Sequence, residues 1–319
     1  PLVTGVQTCA LPIFPVVKHL ERWETYYNQI EKYLGKEINT EFYRDFAQEY
    51  RRVESNGISL NPQRFSKYYE TLWNEYSIRE NQIYTSYNLY NLTCRPTNAF
   101  NNINFLALNK EDNSRESFVP THDVFVEFDF EAYHLALIAD LVGYTFDKNI
   151  SIHTQLGQIY FEKEELTEEE YQQAKTVSFH QIYGGIQKKY KSIPFFEKIQ
   201  EYIDNLWQEY TQSGKVVLKT GRILYQDKNT LTPSKLFNYS IQNAETYQNV
   251  IFLKKINRLL EPYKSKVVLV VYDAFLIDYS MQDGRELLLE IKRLIEEEGF
   301  RAKIKVGTNY KGMCQKSYL

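Results

Sequence analysis

The sequence predicts an α+β fold. Two observations lead to it. Strands are few and scattered among many helices, and the clearest strands are a single run, 124–130, and an apolar hairpin over 266–279. With 319 residues, one large or two to three smaller structural units are expected. No internal repeat and no low-complexity linker interrupts the chain.

Near the start of the chain, apolar and aromatic positions at helical spacing (Trp23, Tyr26, Tyr27, Ile30, Tyr33, Leu34) predict helices over 18–50. Asn56-Gly57 and Asn61-Pro62 are turn signals, a helix is expected over 65–76, and short alternating segments come next over 83–87. Residues 124–130, Val-Phe-Val-Glu-Phe-Asp-Phe, have the β-branched and aromatic content of a strand, and 131–141 turns helical. A helix over 168–183 ends at Gly184-Gly185, and 195–210 is helical again. Thr220-Gly221 joins 216–218 to 222–225 as a hairpin, and 233–260 reads as a long helix. Strands over 266–271 and 275–279 meet through Tyr272-Asp273-Ala274, then a helix over 286–298 and a strand over 302–306 close the chain.

Hydrophobic residues make up 43% and charged residues 25%, an ordinary globular balance. The 27 Tyr and 19 Phe suit surfaces that stack on flat partners, and equally reflect a residue-usage bias. A net charge of -3 argues against a basic nucleic-acid footprint over the whole surface. Local clusters exist at Lys188, Lys189, Lys191 and at Lys215, Lys219, Arg222, and such runs also occur as plain solvated faces. Cys9, Cys94 and Cys314 are widely separated and show no CxxC spacing, which predicts a reducing compartment without a disulfide framework or a zinc site. No apolar run reaches membrane-span length, so no membrane partner is expected, and residues 2–17 lack the basic start of a signal peptide. The chain opens on Pro1 and its only methionines are Met281 and Met313, so it reads as a fragment, with 1–14 a non-native segment set aside from fold reasoning.

The chemistry concentrates in two carboxylates and one helix face. Asp129 ends a buried-looking strand and Asp273 sits at the tip of an apolar hairpin. Carboxylates at strand ends, far apart in sequence, are what a two-metal site needs, because hard divalent cations take oxygen ligands. Taken singly, Asp129 also suits a helix N-cap and Asp273 an ordinary turn. Lys175, Phe179 and Tyr183 recur at i, i+4 and i+8, so one face carries a cation, a ring and a phenol able to hold a triphosphate and stack a base. The same spacing suits an amphipathic helix with its rings in the core. His153, after Ser151-Ile152, adds a possible phosphate donor or a structural histidine.

These segments together resemble the family A DNA polymerases. Asp129-Phe-Glu-Ala-Tyr-His-Leu-Ala136 is similar to the family's motif A, 174–184 (Ala-Lys-Thr-Val-Ser-Phe-His-Gln-Ile-Tyr-Gly) to motif B, and Val271-Tyr-Asp-Ala-Phe275 to motif C. Residues 83–87 with Thr93-Cys-Arg95 resemble the stretch that contacts the primer. Residues 152–157 resemble the segment before the nucleotide helix, and Asn238-Tyr-Ser-Ile-Gln242 the minor-groove Asn-x-x-x-Gln. The resemblance runs from about Ile83 to the C-terminus. It departs from the family at His134 (usually Glu), Ala136 and Tyr171 (usually Arg), Tyr272 and Ala274 (usually His and Glu) and His180 (usually Gly).

The resemblance implies a right-hand polymerase with an antiparallel-sheet palm (81–147 and 216–319), helical fingers (148–215) and a reduced helical thumb (15–80). It implies a divergent, phage-like DNA-directed DNA polymerase, in the cytoplasm of a bacterial host, acting on primer-template DNA and deoxynucleoside triphosphates. Two Mg²⁺ ions would be held by Asp129, Asp273 and the Phe130 carbonyl. Asp129, Asp273 and Lys175 would be catalytic. His153, Lys175, Phe179, Tyr183 and His134 would bind nucleotide, and Arg95, Asn238 and Gln242 would contact DNA. Two alternatives stay open: a single-subunit RNA polymerase-like enzyme, which shares the two Asp residues and the Lys/Tyr helix, and an inactive nucleic-acid-binding remnant of the fold.

Overall fold

The structure is a computed structural model that describes residues 39–69, 78–98, 103–226 and 231–315. The chain divides at Thr40 into two compact units, the larger running from Glu41 to the C-terminus.

A five-stranded sheet organises this larger unit. Strand β7 (Val124–Phe130) is flanked by β11 (Ala274–Tyr279) and β12 (Ala302–Gly307), with β10 (Lys266–Val271) beyond β11 and β13 (Cys314–Gln315) beyond β12. Every strand pairing among the described residues is antiparallel. Val126, Phe128 and Phe130 point to one face and are buried, whereas Glu127 and Asp129 point to the other and stay partly open. Under the buried face lie two helices, α7 (Pro233–Leu260) and α8 (Arg285–Glu297). Phe130 stacks on Phe252 of α7 at 5.1 Å and meets Phe275 of β11 edge-on at 5.3 Å.

A smaller sheet of order β2-β3-β1-β6 joins β1 (Ile58–Leu60), β2 (Ile78–Arg79), β3 (Gln82–Ile83) and β6 (Phe118–Val119). It packs beside α1 (Thr40–Asn56), whose stripe Phe42, Phe46, Tyr50, Val53 is buried, and α2 (Pro62–Tyr69). β4 (Tyr87–Asn88) and β5 (Thr97–Asn98) form a short ribbon. A second core gathers α3 (Tyr133–Leu141), α4 (Ile152–Phe161), α5 (Glu168–Gly184), α6 (Pro194–Ser213) and the start of α7 around Leu135, Leu156, Ile182, Phe195 and Ile241. A third lies under the hairpin of β8 (Lys215–Val217) and β9 (Ile223–Tyr225). Among the described residues no helix is long and apolar enough to cross a membrane.

The α+β expectation holds, and the long elements stand where expected. The helix expected from residue 131 begins at Tyr133. Glu131 still extends the sheet, its N–H donating to the Arg301 carbonyl at 2.8 Å, and Ala132 turns the chain with φ 49°. Asp129 is therefore a strand residue and caps no helix. α4 was not expected as a helix, and of the smaller sheet only β3 touches the alternating segments expected over 83–87. The parts of the expected helices over 18–38 and 70–76 lie outside the described residues.

Candidate active site

Asp129 and Asp273 meet at one end of the large sheet. Asp129 is in register with Ala274, the residue after Asp273, and the Phe130 N–H donates to the Asp273 carbonyl at 2.9 Å. Tyr272 takes a left-handed conformation, φ 51°, which lets the turn close in two residues. The Asn249 side chain steadies that turn by donating to the Tyr272 carbonyl at 3.0 Å, while accepting from the Tyr133 hydroxyl at 2.7 Å. Asp273 is open to solvent on one side and crowded by protein on the other. Desolvation and the negative charge of Asp129 raise its pKa above the usual carboxylate value.

Two lysines of β12 share this face. Lys303 is in register with Asp129 and Lys305 with Glu127. Lys305 donates to Asp129 Oδ2 at 2.6 Å and Glu127 Oε1 at 2.9 Å; burial works against its charge, but these carboxylates outweigh it and raise its pKa to about 12. Lys303 pairs with Glu131 at 3.4 Å. Among the described residues no group of three or more His, Cys, Asp or Glu side chains forms a metal-binding cluster. Asp129 and Asp273 nevertheless fit a hard divalent cation, because both offer oxygen donors and the repulsion between them is relieved by a positive ion.

The face of α5 expected to be functional is open. Phe179 and Tyr183 are 40% and 41% exposed, so their rings are not core residues. They lie nearly parallel, 7° apart, with centroids at 6.2 Å. A capping box of Thr167 and Glu170 starts the helix. Lys175 Nζ stands 5.4 Å from the Tyr171 ring. His153 on α4 is buried between Tyr171 and Phe179, with ring centroids 6.1 and 5.8 Å away. Burial first, then the positive charges of Lys175 and Lys303, lower its pKa to about 4, and its Nδ1 has no hydrogen-bond partner among the described residues.

Between these groups and α7 runs a polar network. Arg95, between β4 and β5, donates through Nε to Glu245 Oε1 at 3.0 Å and lies over the Tyr272 ring at 4.2 Å. His134 Nε2 is 2.5 Å from Glu245 Oε2, and its Nδ1 is hydrogen-bonded to the Tyr183 hydroxyl. Tyr183 is pushed up to about 12, by desolvation first and then by the charge of Glu245. Gln242 accepts from the Thr93 hydroxyl at 3.1 Å, and Asn243 donates to the Thr93 carbonyl at 3.1 Å, which fastens the Arg95 segment to α7. Asn238 lies one turn before Gln242, with its Oδ1 buried and without a partner among the described residues.

The structure thus gathers Asp273, His134, Tyr183 and Arg95 around Glu245, with Asp129 beside Asp273, and groups His153, Lys175 and Phe179 beside them. Sequence reasoning missed Glu245, Asn249, Lys303 and Lys305. One signal was available for the first two: Gln242, Glu245 and Asn249 recur at i, i+3 and i+7, a polar stripe on a helix whose surroundings are apolar.

No family model matches the chain, and no curated protein matches it. Among solved structures it is similar to the POL domain of Pol1 from M. smegmatis, solved in complex with DNA primer-template and dNTP. The TM-score is 0.63 at 15% sequence identity, over 78% of this chain and 51% of that one. The fold is similar to that of a DNA polymerase domain. The chain spans about half the length of that neighbour.

Proposed function

We propose that this chain is a template-directed DNA polymerase of the family A type, extending a primer 3′-hydroxyl with deoxynucleoside triphosphates. The observation that carries the reading is the pairing of Asp129 with Asp273 at one end of an antiparallel sheet, beside Tyr183 and the open face of α5. In this reading 81–147 and 216–319 are the palm, 148–215 the fingers and 15–80 the thumb.

Asp129 and Asp273, with the Phe130 carbonyl, would hold two Mg²⁺. Such ions, when bound, lower the pKa of the primer hydroxyl and neutralise charge on the leaving pyrophosphate. The 3′-oxygen attacks the α-phosphorus, its proton passes to solvent, and the bond to pyrophosphate breaks. Lys175 neutralises charge on the triphosphate. His153, uncharged near neutral pH, contributes a hydrogen bond. Phe179 and Tyr183 provide the surface for base and sugar. His134 holds the Tyr183 hydroxyl in place. Arg95, Asn238 and Gln242 contact the minor groove, where acceptor positions hardly depend on sequence. Lys305 releases one oxygen of Asp129 and keeps its second partner, Glu127.

The test is primer extension by Asp129→Ala and Asp273→Ala. Each should lose on the order of 10³-fold or more in rate while primer-template affinity stays within about threefold of wild type. Extension near the wild-type rate by either variant refutes the assignment. A second reading, a nucleic-acid-binding remnant of the fold, is favoured by the contact of Lys305 with Asp129, a cation already seated on a candidate metal ligand. Mg²⁺-dependent extension by the wild type excludes it.

A further inference from the structure

Glu245 belongs to none of the three motifs, yet its carboxylate is buried beside the site, with 1% of its side chain exposed. A buried carboxylate persists only when hydrogen-bonded partners replace the lost water. Both oxygens are engaged, and by different segments. Oε1 accepts from Arg95 Nε at 3.0 Å, and Oε2 faces His134 Nε2 at 2.5 Å. A carboxylate can only accept, so Nε2 carries the proton; in the neutral ring Nδ1 accepts from the Tyr183 hydroxyl. In that tautomer the relay runs from Tyr183 through His134 to Glu245. Arg95, on the far side, lies over Tyr272, the neighbour of Asp273. The charge of Glu245 reaches Asp273.

The chain Arg95–Glu245–His134–Tyr183 joins four parts of the fold: the β4–β5 connection, α7, α3 and α5. Its two ends lie, in the polymerase reading, on opposite sides of the reaction. Arg95 faces the primer-template and Tyr183 the incoming nucleotide. Resting on that reading, we propose that Glu245 is a positioning residue that couples these two sides, so that the minor-groove contact and the nucleotide pocket are set together. Only an ionised carboxylate suits the position. Both partners donate, and a glutamine of the same shape would turn an N–H against one of them.

A merely structural Glu245 would support stability and leave the two ends independent. A coupling Glu245 makes them interdependent, which a mutant cycle reads directly. Single-turnover incorporation gives the apparent nucleotide Kd for wild type, Arg95→Ala, Tyr183→Phe and the double variant, in both the Glu245 and the Glu245→Gln background. With Glu245 present, the double variant should depart from the product of the single effects by about tenfold. In the Glu245→Gln background the product should hold within about twofold. Thermal melts check that each variant is folded, and Arg95→Lys replaces Arg95→Ala should the latter not fold. Should Glu245→Gln not fold, the cycle with Glu245 present decides alone. Multiplicative effects with Glu245 present, in an enzyme that extends primers, overturn the coupling and leave the polymerase reading standing. A wild type that extends no primer overturns both.

Discussion

His153 is buried between two rings and feels the positive charges of Lys175 and Lys303, and folding therefore opposes its protonation. Its pKa falls from 6.5 to about 4 on folding. Between those values the unfolded chain binds a proton that the native chain refuses, so stability present above pH 6.5 is lost as pH falls toward 4. The loss is about 3 kcal/mol, a pKa unit being worth about 1.4. The raised pKa of Asp273 acts in the opposite sense, since its native carboxyl takes up a proton more readily than the unfolded one. The readout is therefore a difference: urea midpoints of wild type and His153→Gln should converge as pH falls from 6.5 to 4. Equal pH slopes would show that His153 is hydrated. Lys303 acts in the same region. It lies opposite Asp129 and its charge reaches His153. Lys303→Gln should raise the nucleotide KM about tenfold with kcat changed by less than about threefold, as expected for one cation near a triphosphate. The motif residues Asp129, Asp273, Lys175 and Tyr183 were legible because their local strings carry them. Lys303 and Lys305 act across strands and leave no local string, and Glu245 was marked only by the polar stripe it shares with Gln242 and Asn249.

At the scale of elements, the close fit of α4 on α5 decides where the face bearing Lys175, Phe179 and Tyr183 sits. Gly157 makes that fit possible. A Cβ there would lie 2.5 Å from Leu166 Cδ1 and 2.9 Å from Ala174 Cβ. The leucine tip can swing aside, but the alanine carbon is fixed to the α5 backbone one residue before Lys175. Gly157→Ala should therefore displace α5. Overpacking costs about 1–3 kcal/mol, against which better helix propensity returns about 1. The expected result is a lowered melting temperature and weakened nucleotide affinity, with primer-template affinity unchanged. An unaltered nucleotide Kd would mean that α4 yields instead. α4 escaped notice because Gly157 interrupts a ten-residue segment, although Ile152, Leu156, Ile159 and Tyr160 do keep helical spacing. The strands of the smaller sheet run only two or three residues, too few for alternation to register. α5, α7 and the 266–279 hairpin were legible because length and period agree over many residues.

At the scale of the whole molecule, strand neighbours were the least legible feature. β7 is central because two strands from the last sixth of the chain enclose it, and pairing at such separation leaves no mark in either segment. Charge is the other whole-molecule property, and it sets how a duplex would be held. The chain carries a net charge of -3, so only local cations can attract phosphate. Most cations near the site already have a partner: Lys305 with Glu127 and Asp129, Lys303 with Glu131, Arg95 with Glu245, Lys219 with Asp140. The exposed Lys188, Lys189 and Lys191 cluster does not change this balance. Lys191 borders a shallow depression that it shares with Glu197, Glu201 and Asp204, and Lys189 lies against Tyr190 at 4.5 Å. Few phosphates can then be neutralised without breaking an ion pair. Counterion release contributes about -0.9 to the salt slope of log K for each phosphate contacted, so a slope of about -2 to -4 is expected. Fluorescence anisotropy with labelled primer-template between about 50 and 200 mM KCl should record a loss of roughly 15- to 250-fold, the range those slopes give. The triple variant Lys188→Ala, Lys189→Ala, Lys191→Ala should keep the wild-type slope. A slope of about -6 or steeper, or one that this variant flattens, would place the duplex across the α5–α6 connection and away from the Glu245 network.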